Sequence, residues 1–257
     1  MTGQARIGQS FRRGLASYGG AARVQADVAR DLAADIARLA PPNGFARALE
    51  FGCGTGFLTR EMLARLRVGH WHINDLVDES RDHVAQLFDP QATWDFLPGA
   101  IETLDLPAAL DLVASASTLQ WVTDTRGLLA RLGACLAPGG WLALASYAPR
   151  HFHELAPYGV AARAMSYHDS QTLASLLPEG LALHSTEEEE RVVRFASPRA
   201  MLQHLRRTGV NGGTRGRWSR GDLAAFEAGY AAHHPDGAGG VTLTYAPIRL
   251  LAQKRMI

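Results

Sequence analysis

The stretch Leu49–Leu66, LEFGCGTGFLTREMLARL, sets glycine at every second position: Gly52, Gly54 and Gly56. An apolar run precedes the loop and apolar residues at helical spacing follow it, so it reads as strand, glycine loop and helix. Glycines so placed let a backbone press against a ligand. A phosphate-binding loop of the G-x-x-x-x-G-K-[ST] type needs a lysine, and this loop has none. A dinucleotide loop needs G-x-G-x-x-G, and Phe57 stands at the third glycine position counted from Gly52. Glu50, two residues before the first glycine, adds a Coulomb cost for any pyrophosphate at the helix N-terminus. Adenosylmethionine has no phosphate; it carries an ammonium and a sulfonium, which a nearby carboxylate favours. Asp75 lies 19 residues past Gly56, where an α/β nucleotide site places a carboxylate on ribose hydroxyls. Taken singly, Glu50 also reads as a capping or surface acid, and Asp75 as a helix N-cap.

Outward from this loop, strand and helix patterns alternate. Residues 21–39 put Val24, Val28, Leu32, Ile36 and Leu39 on one helical stripe, and PPNG (41–44) breaks the chain. Strand patterns follow at ARALEF, HWHIND, TWDFLPG and ALDLVASAS, with helical patterns at 58–66, 79–88 and 124–136. A Pro-Gly-Gly turn leads into WLALASYA. This alternation predicts an α/β fold: a seven-stranded, mostly parallel sheet covered on both faces, with its last strand antiparallel. Further on, 151–177 looks helical with Pro157 interrupting it. LALHSTEEEERVVRFAS looks like one long strand, and VTLTYAPIRLLAQK like a closing one. Helices are expected from Ser197 and from Ser219 to His233. The expectation is a single domain over residues 1–257. It comprises a helical lid at 1–40, a ligand-binding core at 45–148 and helical elements at 151–182 and 197–239.

Composition excludes little beyond this. Apolar residues make up 47% and charged residues 20%, ordinary for a globular chain. No apolar run approaches the roughly 18 residues that span a bilayer, and the N-terminal stretch lacks a signal-peptide core. Cys53 and Cys135 have no zinc spacing and make no disulfide framework. No metal is expected, and a reducing cytoplasm is the simplest location.

The order E-x-G-x-G-x-G, INDL, GAIE, LVASASTLQWVTD and LAPGGWLALASY resembles a class I methyltransferase. Within that superfamily STLQWVTD, FRRGLASYGGAARVQ (11–25), LRRTGVN (205–211) and LTYAP (243–247) are similar to the malonyl-[acyl-carrier protein] O-methyltransferases of biotin synthesis. The likeness spans nearly the whole chain. It departs at Ala100, where these enzymes often carry an aspartate facing the adenine amino group. Arg206 stands in place of a frequent lysine, and Ala246 in place of a common histidine.

The resemblance implies methyl transfer from S-adenosylmethionine to the free carboxylate of a malonyl thioester. That thioester is carried on acyl carrier protein or coenzyme A, on the way to the pimeloyl moiety. A related alternative is methylation of a small free acid, as in enzymes similar to trans-aconitate methyltransferases. The carboxylate is ionised at pH 7 and needs no base; alignment and water exclusion suffice. Cofactor contacts are expected from Gln25, Glu50, Gly52, Cys53, Gly54, Gly56, Asp75, Leu76, Ala100, Ile101, Glu102 and Ser115. Gln120 and Trp121 are expected to bind the acceptor, and Tyr18 to donate a hydrogen bond to it. Arg150 or Arg206 would pair with its carboxylate.

Net charge is only +1, yet Arg191 to Arg220 holds eight arginines and no acid, directly after Glu187–Glu190. Such a stretch would steer an acidic carrier protein. With few interleaved aromatics, Phe195 and Trp218, it does not read as a nucleic-acid surface.

Overall fold

A computed structural model describes residues 22–159, 166–208 and 218–256. Tyr18, the rest of the segment before Ala22, and residues 160–165 and 209–217 lie outside these. The described strands are β1 (Phe45–Phe51), β2 (Val68–Asp75), β3 (Trp94–Pro98), β4 (Leu110–Ala116), β5 (Leu136–Tyr147), β6 (Leu181–Glu188), β7 (Arg191–Phe195), β8 (Val241–Tyr245) and β9 (Pro247–Lys254). Seven form one sheet in the order β3-β2-β1-β4-β5-β9-β6, and β7 pairs with β8 in a second. Strands β1 to β5 pair in parallel, while β9 is antiparallel to both β5 and β6. The strand order reverses between β1 and β4, where an open α/β sheet leaves a crevice at its carboxyl edge.

The helices are α1 (Arg23–Leu39), α2 (Phe57–Leu63), α3 (Ser80–Ala85), α4 (Thr125–Cys135), α5 (Ser170–Ser175), α6 (Pro198–Arg207) and α7 (Arg220–His233). Four of them start on side-chain caps, Asp169 accepting from Thr172 N–H at the start of α5. Asp124 accepts from Gly127 N–H, Ser197 accepts from Ala200 N–H with Pro198 at the first helical position, and Ser219 forms a reciprocal box with Asp222.

The two-residue pleat sorts the strands into faces. Ala48, Leu112, Ala114, Ala143 and Ala145 pack with the α1 stripe Val24, Val28, Leu32 and Ile36. Leu49, Phe51, Val113, Leu142 and Leu144 pack on the other side with Leu128, Leu129 and Leu132 of α4. By this alternation Glu50 belongs to the α1 face, behind the glycine loop.

Two expected single strands each divide between the sheets. The chain leaves the large sheet after Glu188 and enters the small one at Arg191; it returns between Tyr245 and Pro247. The cause is local bonding at the crossings. Ala246 N–H donates to His151 Nδ1, Ala246 C=O accepts from Ala148, and Glu189 N–H donates to Pro247 C=O. These groups are satisfied outside either ladder. The expected helix over 151–177 is likewise reduced. A 3-10 turn covers His153–Tyr158, with Pro157 removing a backbone donor, and α5 covers only Ser170–Ser175.

Arg249 on β9 holds α1 to the sheet. Its Nε lies 2.8 Å from Asp35 Oδ2, and its other nitrogens reach Glu187 and Glu189. Its side chain is 12% exposed and that of Asp35 is 9%. Removing one partner leaves a buried charge uncompensated. Arg249→Met is therefore expected to destabilise the fold by about 3 kcal/mol, read as a lower urea midpoint with unchanged slope.

Candidate active site

The strand ends and their loops enclose a cleft of about 1160 Å³, counted out to its solvent edge. Small-molecule sites typically run to about 300–1,000 Å³. The lining comes from Gln25 and Ala29 of α1, Glu50, Gly52 to Thr55, Phe57 and Leu58, Asn74 to Val77, Ser80, Gly99 to Glu102 and Ala116 to Thr118, with Trp121 and Val122 beyond. Among the described residues, three carboxylates line it and no Arg, Lys or His does. A phosphate would find no cation there, whereas a ligand carrying positive charge finds partners.

Glu50 is 1% exposed, and its Oε2 has no hydrogen-bond partner. Burial, reinforced by the nearby Asp75 charge, pushes its carboxyl from the ordinary 4.5 up to about 8. Asp75 is better served. Its Oδ2 accepts Gly54 N–H at 2.7 Å and its Oδ1 accepts Val77 N–H at 2.8 Å. Burial still raises its pKa, partly offset by these bonds. Each carboxylate oxygen keeps a second lone pair for a ligand hydroxyl.

The glycine loop has the backbone that its residues foretold. Gly52 (φ +68) leaves no room for a Cβ, which would collide with the Thr118 side chain. Gly54 (φ +54) is the opposite case, since a Cβ there meets nothing within 4 Å. Cys53 N–H donates to Asn74 C=O, and burial raises the thiol's pKa well above its ordinary value. Its thiolate is thereby suppressed, which removes Cys53 as a nucleophile.

Several expected residues stand elsewhere. Ser115 is on the far face of β4 by the pleat, and its hydroxyl donates to Phe51 C=O at 2.7 Å instead of lining the cleft. Gly56 does not line it either; a Cβ there would press on Leu87. The Gln120 amide is consumed internally, donating to Ser117 C=O and accepting from the Ser146 hydroxyl, so Trp121 alone of that pair reaches the cleft. Arg150 is 63% exposed and paired with Glu190, and Arg206 is exposed on α6; neither lines the cleft. Gln25, Glu50, Gly52, Cys53, Gly54, Asp75, Leu76, Ala100, Ile101 and Glu102 all line it.

Other residues emerge only in three dimensions. The Asn74 amide donates to Leu97 and Gly99 carbonyls at 2.7 and 2.9 Å, fixing the loop after β3. The Arg131 guanidinium gathers the carbonyls of Ile101, Glu102 and Leu104 from behind. Thr118 reaches back to Gly52 C=O.

A family model described as a methyltransferase domain matches residues 24–211. The malonyl-[acyl-carrier protein] O-methyltransferase of Chlorobium luteolum is 36% identical over 258 residues, covering 99% of this chain and 97% of its own. The chain belongs to this methyltransferase family. Its counterpart in Chlorobium phaeovibrioides is 34% identical over 97% of this chain and 96% of its own. Among solved structures, the N-methyltransferase NodS of Bradyrhizobium japonicum, in complex with S-adenosyl-l-homocysteine, matches with a TM-score of 0.52. It is 14% identical, over 93% of this chain and 98% of that one, which shows a shared fold. No described helix of this chain is long and apolar enough to cross a membrane.

The Glu50 shift has a signed consequence in this methyltransferase. Between pH 4.5 and about 8 the unfolded chain has released a proton that the folded chain keeps. Stability of the ligand-free protein therefore falls with rising pH across that window, by about 1.4 kcal/mol per unit from this group. Glu50→Gln should flatten the slope. The variant should match wild type near pH 4.5 and exceed it by a few kcal/mol at pH 8, measured by urea unfolding at both values.

Proposed function

We propose that this enzyme methylates the free carboxylate of a malonyl thioester, on acyl carrier protein or coenzyme A, in the pimeloyl branch of biotin synthesis. The observation that carries the cofactor assignment is the cleft's charge: a sealed, half-satisfied Glu50 beside Asp75, with no cation in the described lining. The substrate assignment is supported by relatives of that name, alike over nearly the full length.

S-adenosylmethionine, when bound, supplies an activated methyl group on a positively charged sulfur. Glu50 offers its unpaired oxygen to the amino-acid ammonium, and the backbone at Gly52–Gly54 gives room for close approach. Asp75 takes the ribose hydroxyls while keeping the loop amide at Gly54. Glu102, two residues past Ala100, brings a carboxylate into the same cleft where the family's usual aspartate is missing. Ala29, Ala116, Trp121 and Val122 make the remaining wall apolar. Such a wall would exclude water from the bound donor and acceptor, and a dry site favours a transfer in which opposite charges are lost. No base is required, because the acceptor carboxyl is already ionised at neutral pH.

The segments 1–40, 151–182 and 197–239 we assign to the acceptor side, with Tyr18 as a donor there. Arginines of 191–220 we assign to docking an acidic carrier, although the stretch is less basic than its sequence. Arg191 pairs with Asp31 and Glu189, and Arg199 with Glu227. Arg206 and Arg220 are exposed without an ion pair among the described residues.

Two measurements test this reading. S-adenosylhomocysteine should raise the melting temperature and NAD should not, since only a ligand of the native state stabilises it. Gly54→Val should abolish the rise, because the site combines a positive φ with open space a ligand needs; a shift with NAD alone would overturn the cofactor. Labelled methyl should then appear as a base-labile ester on malonyl-carrier protein. The Arg206→Glu, Arg220→Glu double variant should lose kcat/KM on that substrate but not on a short malonyl thioester. Wild-type rates on the carrier should drop as added salt shortens the screening length to roughly 8 Å and below. Equal loss on both substrates would return Arg206 to the carboxylate.

A further inference from the structure

Away from the cleft, two histidines and an acid meet at one edge of the large sheet. His70 and His72 stand two apart on β2, so the pleat puts both on one face. Trp71 and Ile73, the alternate residues, belong to the core against α1, which turns the histidines to the opposite face. Asp95 of the edge strand β3 is the registered partner of His72 in the parallel pair and shares its face. None of the three lines the cleft.

Their polar atoms converge. His72 Nδ1 lies 2.7 and 2.8 Å from the two Asp95 oxygens. His70 Nε2 lies 3.5 Å from Asp95 Oδ1, and the two imidazoles stack with centroids 4.4 Å apart. One nitrogen of each ring and one carboxylate oxygen all fall within 4.8 Å of one another. Four-coordinate zinc holds nitrogen and oxygen at about 2.0–2.2 Å, which sets neighbouring ligand atoms about 3.4 Å apart. His70 and Asp95 already have that spacing, and Asp95 need draw back from His72 by less than about 1 Å.

An orphaned atom points the same way. His70 Nε2 is buried and has no hydrogen-bond partner, a state that is unfavourable until something supplies one. The cluster is nonetheless at the surface. The side chains of His70 and Asp95 are 37% and 43% exposed, so an ion reaches the gap by a turn of either. Arg47 on β1 opposes a cation there. Its Nη2 lies 3.4 Å from His72 Nε2, while its Nη1 donates to Ala108 C=O at 2.7 Å. Without metal, that contact leaves the His72 proton on Nδ1, facing Asp95. A metal on Nδ1 sends the proton to Nε2, and Arg47 then gives up the longer of its two contacts.

We propose that His70, His72 and Asp95 bind a divalent cation of the zinc class, which clips the edge strand β3 to β2. Two imidazoles and one carboxylate suit zinc, whereas calcium and magnesium take oxygen ligands. Water completes the coordination in such three-ligand sites. The position gives the clip a use. In the sheet β3 is bonded to β2 alone. Asn74, next after His72 on the same face, already holds the carbonyls of Leu97 and Gly99. Gly99 to Glu102 then form one wall of the cleft. Cysteine spacing is silent about this site, because its ligands are histidines two apart and an acid 23 residues beyond the second.

The test titrates Zn2+ by calorimetry into the full chain, freed of metal by a chelator that is then removed. One equivalent should bind ahead of any weaker binding to the remaining histidines. His70→Ala and Asp95→Asn each remove one ligand at a partly exposed position that should tolerate the change. Each should weaken that equivalent by more than the roughly 10- to 100-fold that loss of an outer partner costs. Arg47→Ala should tighten it, and His184→Ala, on the opposite edge strand β6, should leave it as in wild type. Co2+ in place of zinc should give the visible absorption of a four-coordinate site in wild type and not in the two ligand variants. Zinc should also slow amide exchange in β3 of wild type alone. Equal affinity in wild type, His70→Ala and Asp95→Asn would overturn the inference, as would the absence of a one-equivalent phase. Binding that depends on both ligands but leaves β3 exchange unchanged would overturn the clip.

Discussion

A carboxyl group sealed at the end of the central strand sets the terms for everything around the cleft. Glu50 sits on the α1 face because the pleat that buries Ala48 must also bury it two residues later. There it has no arginine or lysine among the lining residues, and one oxygen goes unmatched. A protein tolerates such a group only if it is neutral or if a cation comes to it. The second acid, Asp75, is held by two backbone amides, Gly54 N–H in the glycine loop and Val77 N–H just after β2. The free site is thus poised between protonation and occupancy, and part of the affinity for a cationic ligand comes from relieving the fold of its own mismatch.

What the sequence disclosed follows from distance along the chain. Glu50, Gly52, Gly54 and Asp75 were readable because a strand, a tight loop and the next strand of a parallel pair put them together by local rules. Ser115 failed for a reason that was also local: counting from Leu112 and Ala114, its parity points it to the opposite face, toward Phe51. Gln120 was correctly placed at the carboxyl edge. A side-chain amide there is as readily used to brace the edge as to meet a ligand, and Ser117 and Ser146 claim it. The Arg131 clamp on three carbonyls had no sequence signal at all, since its partners lie 27 to 30 residues away. The arginine-rich stretch shows the limit of charge counting, because Asp31 and Glu227 reach two of its members from distant helices.

The broken strands were illegible for a related reason. The first crossing falls in Glu187 to Arg191, a charged run with no glycine, proline or turn pair, and at the second Pro247 alone is a break signal, so the change of sheet is barely marked. The change is imposed from outside, by His151 and Ala148 taking up the backbone of Ala246. Period-two patterning reports that a segment is extended, and is silent about which neighbour it extends beside.

Those two crossings lie side by side, tied by the bond from Glu189 to Pro247. Two parallel tethers along one edge restrict the small sheet much as paired hinge pins restrict a door. Rotation about their common line stretches neither tether, while sliding along it or twisting out of it strains both. Even that rotation is opposed, because Val241, Leu243 and Tyr245 share the core of the large sheet and Arg191 is paired with Asp31 of α1.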